Sequence, residues 1–281
     1  VTLKEFQTYF TSELAGEYPP EEIKSFFWIL SEAFLKYSRL DLSLNAASPI
    51  SEEKQQLFQG ALERLKCFEP IQYILGQTEF FGLPFRVNEH TLIPRPETEE
   101  LVSWMISDHK DAENMRVLDI GTGSGCIAIS LAKELPHISV TAVDISEEAL
   151  NVAKRNALLN GVEVDFLQQD ILTASKLPEA YDIIVSNPPY VRQLEKVQMH
   201  NNVLLHEPET ALYVSDADPL LFYRAIAQLA RTHLRKQGKL YFEINTYLSK
   251  EMRQMLIAEG YKTIEIRKDM FGKDRMIKCS L

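Results

Sequence analysis

The chain has no apolar run near the ~20 residues a membrane-spanning helix needs, and its start, Val1-Thr2-Leu3-Lys4-Glu5, lacks an apolar signal-peptide core. Cysteine is scarce: Cys67, Cys126 and Cys279 are odd in number and widely spaced, with no Cys-x-x-Cys pair and no histidine cluster. That argues against a disulfide framework and against a metal site, so the three read as reduced packing residues in a cytosolic protein. Positive charge is also short. The 281 residues carry 30 Lys and Arg against 40 Asp and Glu, a net charge of −10. Residues 1–70 have a net charge of −4 and the remainder −6, so neither part has the basic excess expected of a protein gripping a phosphate backbone. A local basic patch is the one route left to a nucleic-acid substrate. There is no low-complexity tract and no internal repeat.

What is present divides in two. The length allows one large domain or two ordinary ones. Residues 1–70 read as helical throughout: Leu3, Phe6, Tyr9 and Phe10 recur at helical spacing, as do Ile23, Phe26, Phe27, Ile29, Leu30, Phe34 and Leu35 after Pro19-Pro20-Glu21-Glu22. A third segment starts near Ser51-Glu52-Glu53. The expectation is a bundle of four or five short helices whose aromatic stripe forms its core, with one face open to a protein partner. Gly76–Val87 alternates around Gly82 and Pro84 and predicts a β-hairpin between two domains. Leu92-Ile93-Pro94-Arg95-Pro96 is stiff and extended, and a helix carrying Leu101, Val102, Met105 and Ile106 starts at Glu97 or Thr98. From about residue 115 strands and helices alternate. Strands are predicted at 116–120, 139–145, 162–168, 181–186, 239–244, 263–266 and 275–280, and helices at 123–135, 147–160, 220–235 and 248–259. Such alternation predicts an α/β fold with a mostly parallel, doubly wound sheet.

Two stretches carry chemistry. Val117–Ile120 runs into Gly121-Thr122-Gly123-Ser124-Gly125, a strand, a glycine-rich turn and a helix start, where backbone can approach a ligand and free N–H groups face an anion. A nicotinamide fingerprint would put glycine at 126, where Cys126 stands, and no phosphate-binding lysine follows. Asp144 closes the next strand about twenty residues on, where a carboxylate can take a ribose diol. Ribose, adenine and an amino-acid carboxylate without phosphate describe S-adenosylmethionine. Asp170 can accept from the adenine amine with Ile171 against the ring, or simply cap a surface helix. The second stretch, Asn187-Pro188-Pro189-Tyr190, ends the β-branched strand Tyr181–Ser186. The prolines have no N–H, so the Pro188 carbonyl can point into a cavity beside the Asn187 amide oxygen and the Tyr190 ring. Two acceptors beside a π-surface suit a planar group bearing NH2, a carboxamide or a nucleobase amine.

The chain closely resembles the glutamine methyltransferases of peptide-chain release factors, nearly end to end. The resemblance runs through Pro70–Gly76, Phe80-Phe81-Gly82, Ile93-Pro94-Arg95-Pro96-Glu97-Thr98-Glu99, Asp119–Gly125, Asn187–Tyr190, Glu207-Pro208 with Ala211-Leu212, and Asp274-Arg275. It implies a Rossmann-like S-adenosylmethionine-dependent methyltransferase sheet at 111–281, a small all-helical substrate-recognition domain at 1–70, and a hairpin linker and cofactor-covering segment at 71–110. It implies that Gly121, Thr122, Gly123, Ser124, Gly125, Asp144 and Asn187 contact the cofactor. Asn187, Pro188, Pro189 and Tyr190 would hold the target glutamine of the release factor's Gly-Gly-Gln loop, supporting translation termination, and Leu92–Pro96 would lie over the cofactor. The expected partner is a release factor, with no nucleic acid and no membrane, and the enzyme is expected to be a cytoplasmic monomer. Two departures stand out, Asn245 after Glu243-Ile244 where the family has glycine, and Val214–Pro219 where it has a glycine-rich turn. Neither is expected to touch the chemistry. An amino-methyltransferase of RNA or DNA bases shares the tetrapeptide, and a catalytically idle binding protein on the same fold is the other class of reading.

Overall fold

Capping side chains mark most helix starts in the first seventy residues. The structure, a computed structural model, describes residues 1–111 and 113–281. Thr2 and Glu5 bond reciprocally to each other's backbone N–H at the head of α1 (Leu3–Leu14), and Ser38 and Asp41 do the same for α3 (Arg39–Leu44). Between them, Pro20 opens α2 (Pro20–Leu35), where its missing N–H costs nothing. Ser51 caps α4 (Glu52–Lys66), and α5 (Ile71–Leu75) ends on Gly76 at φ 66°. The apolar stripes Leu3, Phe6, Phe10, Leu14 and Ile23, Phe26, Phe27, Leu30 meet Phe58, Ala61, Leu62 and Leu65 in one core. Phe27 and Phe58 stack with centroids 5.4 Å apart. The aromatic stripe is therefore core, not a cofactor box. Residues 200–206 belong to this helical unit as well, although they come from far along the chain. Cys67 is no packing residue: it is exposed at the end of α4, whereas Cys279 is buried.

The second unit comprises residues 77–199 and 207–281. It opens with the predicted hairpin, β1 (Gln77–Phe80) and β2 (Leu83–Arg86). Phe81 and Gly82 both have positive φ, 52° and 71°, as a tight primed turn demands. Asn156 and Asn160 hydrogen-bond the backbone at Arg86 and Pro84 and so fasten the hairpin to α8 (Glu147–Asn160). After α6 (Pro96–His109) comes β3 (Arg116–Ile120), then α7 (Cys126–Glu134), β4 (Ser139–Asp144), α8 and β5 (Asp165–Gln168). β6 (Tyr181–Ser186) follows, then a short parallel ribbon of β7 (Val191–Arg192) and β8 (Tyr213–Val214), with α9 (Asn201–His206) and α10 (Glu209–Leu212) between its strands. The chain finishes with α11 (Leu221–His233), β9 (Leu234–Glu243), α12 (Ser249–Ala258), β10 (Thr263–Lys268) and β11 (Asp274–Ser280).

Seven of these strands form one sheet in the order β10-β11-β9-β6-β3-β4-β5. β9, β6, β3, β4 and β5 are parallel, and β11 pairs antiparallel with both β9 and β10, so β11 alone runs against the other six. Apolar clusters lie on both faces, so β3 and β6 are buried almost throughout, as parallel strands are. The order reverses between β3 and β6, and a doubly wound sheet binds ligands at the carboxyl ends flanking such a reversal. Two element ends differ from expectation. α7 starts at Cys126 rather than Gly123, because Gly123 and Gly125 take left-handed φ of 54° and 83°. β9 starts at Leu234 rather than Lys239, with Gln237 at φ 70° and a register shift opposite Tyr181 and Ile183. That kink needs Gly238, where a Cβ would come within 2.9 Å of the Arg235 carbonyl. Among the described residues no helix is long and apolar enough to cross a membrane.

Candidate active site

The register sets the two chemical stretches side by side: Ile120 at the end of β3 pairs with Ser186 at the end of β6 and with Val143 next to the end of β4. The Ser186 hydroxyl donates to the Ile120 carbonyl at 2.6 Å. Gly121–Gly125, Asp144 and Asn187–Tyr190 therefore all leave the same sheet edge.

The glycine loop folds on a small hydrogen-bond frame. Gly121 and Thr122 N–H donate to the Val143 carbonyl, and Gly125 N–H donates to the Thr122 carbonyl. Asp144 accepts from Gly123 N–H at 2.8 Å and from Ser146 N–H at 3.0 Å, so its carboxylate is held still while the outward lone pairs remain. Burial pushes its carboxyl upward against those bonds. Gly121, Gly123 and Gly125 all have positive φ, but their surroundings differ. A Cβ on Gly121 or Gly123 would enter open space, whereas one on Gly125 would meet Ile129 Cδ1 at 2.8 Å and Ala153 Cβ at 3.1 Å. The first two thus leave the cradle open, and the third lets α7 pack on α8. Beneath lies Asp119, wholly buried, with Oδ2 accepting from the Thr122 hydroxyl at 2.6 Å. Burial pushes its carboxyl up to about 7. Asp119 Oδ1 and Ser124 Oγ are buried without a partner among the described residues. A cradle of bare glycine backbone beside an anchored strand-end carboxylate fits a cofactor bearing both charges and a ribose. Cys126 takes no part in polar chemistry, since burial raises its thiol to about 12.

Asp170 and Ile171 sit at the same edge, because Gln169 N–H donates to the Asp144 carbonyl. Asp170 spends its oxygens on its own turn, accepting from Leu172 N–H at 2.9 Å and the Thr173 hydroxyl at 3.1 Å. Those bonds are what the capping reading expects, and each oxygen keeps a lone pair for the adenine amine. Ile171 is partly buried against the core.

In the tetrapeptide Pro188 is buried, and Asn187, Pro189 and Tyr190 are partly exposed. Asn187 Nδ2 donates to the Thr98 hydroxyl at 3.3 Å. Thr98, in the first turn of α6, donates in turn to Glu243 Oε2 at 2.6 Å. Tyr190 donates its phenol to Glu243 Oε1 at 2.9 Å. Burial raises the Glu243 carboxyl, opposed by those two hydroxyls and the Arg275 charge. Burial and the adjacent Glu243 hold the Tyr190 phenol far above its ordinary range, so it stays a donor. Asn245 Nδ2 donates to the Tyr190 carbonyl and to Glu195 Oε2, both at 3.0 Å. The departure at Asn245 therefore does touch the tetrapeptide, contrary to expectation: the side chain that glycine lacks braces its last residue. The other departure is ordered by carboxylates, with Asp216 accepting from Leu194 N–H at 3.2 Å and Asp218 paired with Arg224.

Glu207 holds the stiff Ile-Pro-Arg-Pro piece, accepting from Ile93 N–H at 3.2 Å and from Arg95 at 2.5 Å. Thr98, Glu207, Glu243 and Asn245 are the site-supporting residues that sequence reasoning gave no role. An acid ending a strand at the binding edge, as Glu243 does, was the available signal.

A cleft of about 530 Å³ opens in the helical unit, lined among others by Leu3, Phe34, Tyr37, Ile50 and Leu57. Lys36, Asn45, Ser51 and Lys54 line it too, and it holds neither the glycine loop nor the tetrapeptide.

Comparison with known proteins agrees with this geometry. Residues 98–216 match the family described as Methyltransferase small domain, and residues 5–76 match PrmC N-terminal domain. The release factor glutamine methyltransferase of Flavobacterium psychrophilum is 51% identical over 281 residues, covering 99% of each chain. The chain belongs to the release factor glutamine methyltransferase family. The family's protein from Bacteroides thetaiotaomicron is 47% identical over 97% of this chain and 98% of its own. Among solved structures, a methyltransferase from Pyrococcus furiosus shares the fold with a TM-score of 0.52 at 17% identity, covering 82% of this chain and 98% of its own.

Proposed function

We propose that this chain transfers the methyl group of S-adenosylmethionine to the side-chain amide nitrogen of a glutamine in a peptide-chain release factor. The observation that carries this reading is the orientation of the Asn187 amide: its nitrogen is turned to Thr98 and donates to it, so its oxygen is turned the other way, where a substrate can use it. Beside it the Pro-Pro turn supplies a carbonyl with no competing N–H. Bound S-adenosylmethionine supplies an electrophilic methyl group. Gly121, Thr122, Gly123, Ser124 and Gly125 would hold it by backbone and hydroxyl, Asp144 by its ribose, and Ile171 against its adenine. Leu92–Pro96, pinned by Glu207, would cover it.

The chain's own task is to make a poor nucleophile react. An amide nitrogen shares its lone pair with the carbonyl. The Asn187 oxygen and the Pro188 carbonyl accept its two N–H groups, orient the nitrogen, and stabilise positive charge as it develops there. Tyr190 borders the flat carboxamide while its hydroxyl stays on Glu243. As the N–C bond forms and the S–C bond breaks, the nitrogen becomes strongly acidic, and its extra proton leaves to water without a dedicated base. A release factor substrate places the reaction in the cytoplasm, where translation terminates, and a monomer suffices for it. The helical unit would give that protein a second place to dock, since one carboxamide supplies little binding area.

The test is mass spectrometry of a purified release factor incubated with enzyme and S-adenosylmethionine. The gain of one methyl group on the glutamine of its Gly-Gly-Gln peptide is expected. Methylation of RNA or DNA with none of the factor would overturn the reading in favour of a nucleobase enzyme.

A further inference from the structure

A hydroxyl has one proton, and in Thr98 it is spent on Glu243 Oε2 at 2.6 Å. Toward Asn187 the same oxygen can therefore only accept. The side-chain amide of Asn187 has two orientations related by a half-turn, similar in shape but opposite in chemistry. Only one of them offers a donor to Thr98, and it is the one observed. The other would turn the NH2 toward a substrate nitrogen that itself carries N–H groups, and donor would face donor. We propose that Thr98 and Glu243 are positioning residues that lock the Asn187 amide with its oxygen toward the substrate. This inference rests on the glutamine methyltransferase reading and extends it to groups that touch neither cofactor nor substrate.

Three further features fit that role. Glu243 is 1% exposed, Thr98 2%, so water does not compete for either bond. Glu243 uses its second oxygen on the Tyr190 hydroxyl, so one carboxylate ties both ends of the tetrapeptide. Its own backbone carbonyl accepts from the buried Tyr223 hydroxyl at 2.9 Å, which fixes the end of β9.

The experiment uses the full chain with purified release factor and compares Thr98→Val, Thr98→Ala, Thr98→Ser and Glu243→Gln. Valine keeps the shape of threonine but removes the hydroxyl, and serine keeps the hydroxyl but removes the methyl. Glutamine puts an NH2 where one of two donated hydrogens now lands, so either Thr98 or Tyr190 must turn round. With Thr98→Val, kcat at saturating cofactor and factor is expected to fall about tenfold or more, the worth of one orienting hydrogen bond. KM for the factor and Kd for S-adenosylmethionine are expected to stay within about twofold of wild type, a small difference on the tenfold-per-1.4 kcal/mol scale. Thr98→Ser should restore most of kcat. Glu243→Gln should lower kcat less, since its oxygen can still accept from Thr98 when Tyr190 turns round, and Thr98→Ala supplies the answer if Thr98→Val does not fold. Wild-type kcat in Thr98→Val, or in Thr98→Ala, overturns the inference. So does a Thr98→Ser enzyme as slow as Thr98→Val, or a loss that saturating cofactor repairs. If wild-type enzyme itself methylates no glutamine, it is the functional reading that fails.

Discussion

Asp144 and Asp119 both lie at the end of a strand beside the glycine loop, yet their surroundings give them different work. Asp144 has both oxygens on backbone N–H groups and faces the cradle. Replacing it with alanine removes an acceptor for ribose hydroxyls and also releases Gly123. Each charge-assisted bond is worth about 1.5–3 kcal/mol, so Asp144→Ala is expected to weaken S-adenosylmethionine at least about tenfold by calorimetry. Unchanged affinity would remove Asp144 from the ribose site. Asp119 is sealed beneath the loop, and burial raises its carboxyl from an ordinary 3.8 to about 7. As pH rises above 3.8 the unfolded chain loses this proton first, while the folded chain keeps it until about 7. The folded state is therefore favoured by this group below that window and progressively loses the advantage across it, by on the order of a few kcal/mol at most. Asp144 and Glu243, also raised, act in the same direction. Denaturant titrations of the cofactor-free enzyme between about pH 5 and 8 should show stability declining with pH. Asp119→Asn should show a shallower decline, and parallel curves would mean that Asp119 is ionised throughout.

At the level of elements, the glycine loop and the Asn-Pro-Pro-Tyr turn were legible because their residue types dictate local backbone directly. Glycine permits positive φ, and proline forbids a ladder bond. The parallel sheet was legible from the alternation of β-branched strands with amphipathic helices. What could not be read was the pairing of side chains far apart in the chain. Thr98 meets Glu243 across 145 residues, and Asn187 reaches Thr98 across 89. No spacing or periodicity encodes such a contact; it exists only once β9, β6 and α6 share an edge. The start of α7 was misplaced for a related reason, since helical spacing alone does not reveal that Gly125 must stay left-handed. Gly125→Ala makes that visible. Positive φ of 83° strains alanine, and its methyl would press on Ile129 and Ala153. A loss of about 1–3 kcal/mol is expected in denaturant titration, as strained backbone and overpacking add. Gly123→Ala, with open space at its Cβ, should cost less stability and more cofactor affinity. Equal stability losses would mean that packing of α7 on α8 does not require glycine at 125.

Across the whole molecule, the path of the chain after the tetrapeptide bears on the role of the helices. From Met199 the backbone passes into the helical unit for residues 200–206 and leaves it at Glu207. There the His206 ring bonds the Cys67 carbonyl at 2.7 Å, and the next residue, Glu207, anchors Ile93 and Arg95. Removing the first 76 residues therefore deletes the proposed docking surface and also strips residues 200–206 of the unit they belong to. The glycine loop, Asp144 and their hydrogen-bond frame lie wholly within residues 77–199, so a chain starting at Gln77 is expected to bind S-adenosylmethionine within a few-fold of the full chain. Methylation of whole release factor should be lost. A synthetic peptide carrying Gly-Gly-Gln separates the two causes, because it needs the tetrapeptide but no second contact. If docking is the main role of the helices, full and truncated chains should methylate the peptide with similar kcat/KM while differing greatly on the whole factor. If their main role is to hold residues 200–206, the peptide reaction should fall as far as the factor reaction. A truncated, folded chain that methylates whole factor at the full-chain kcat/KM would show that the helices do neither.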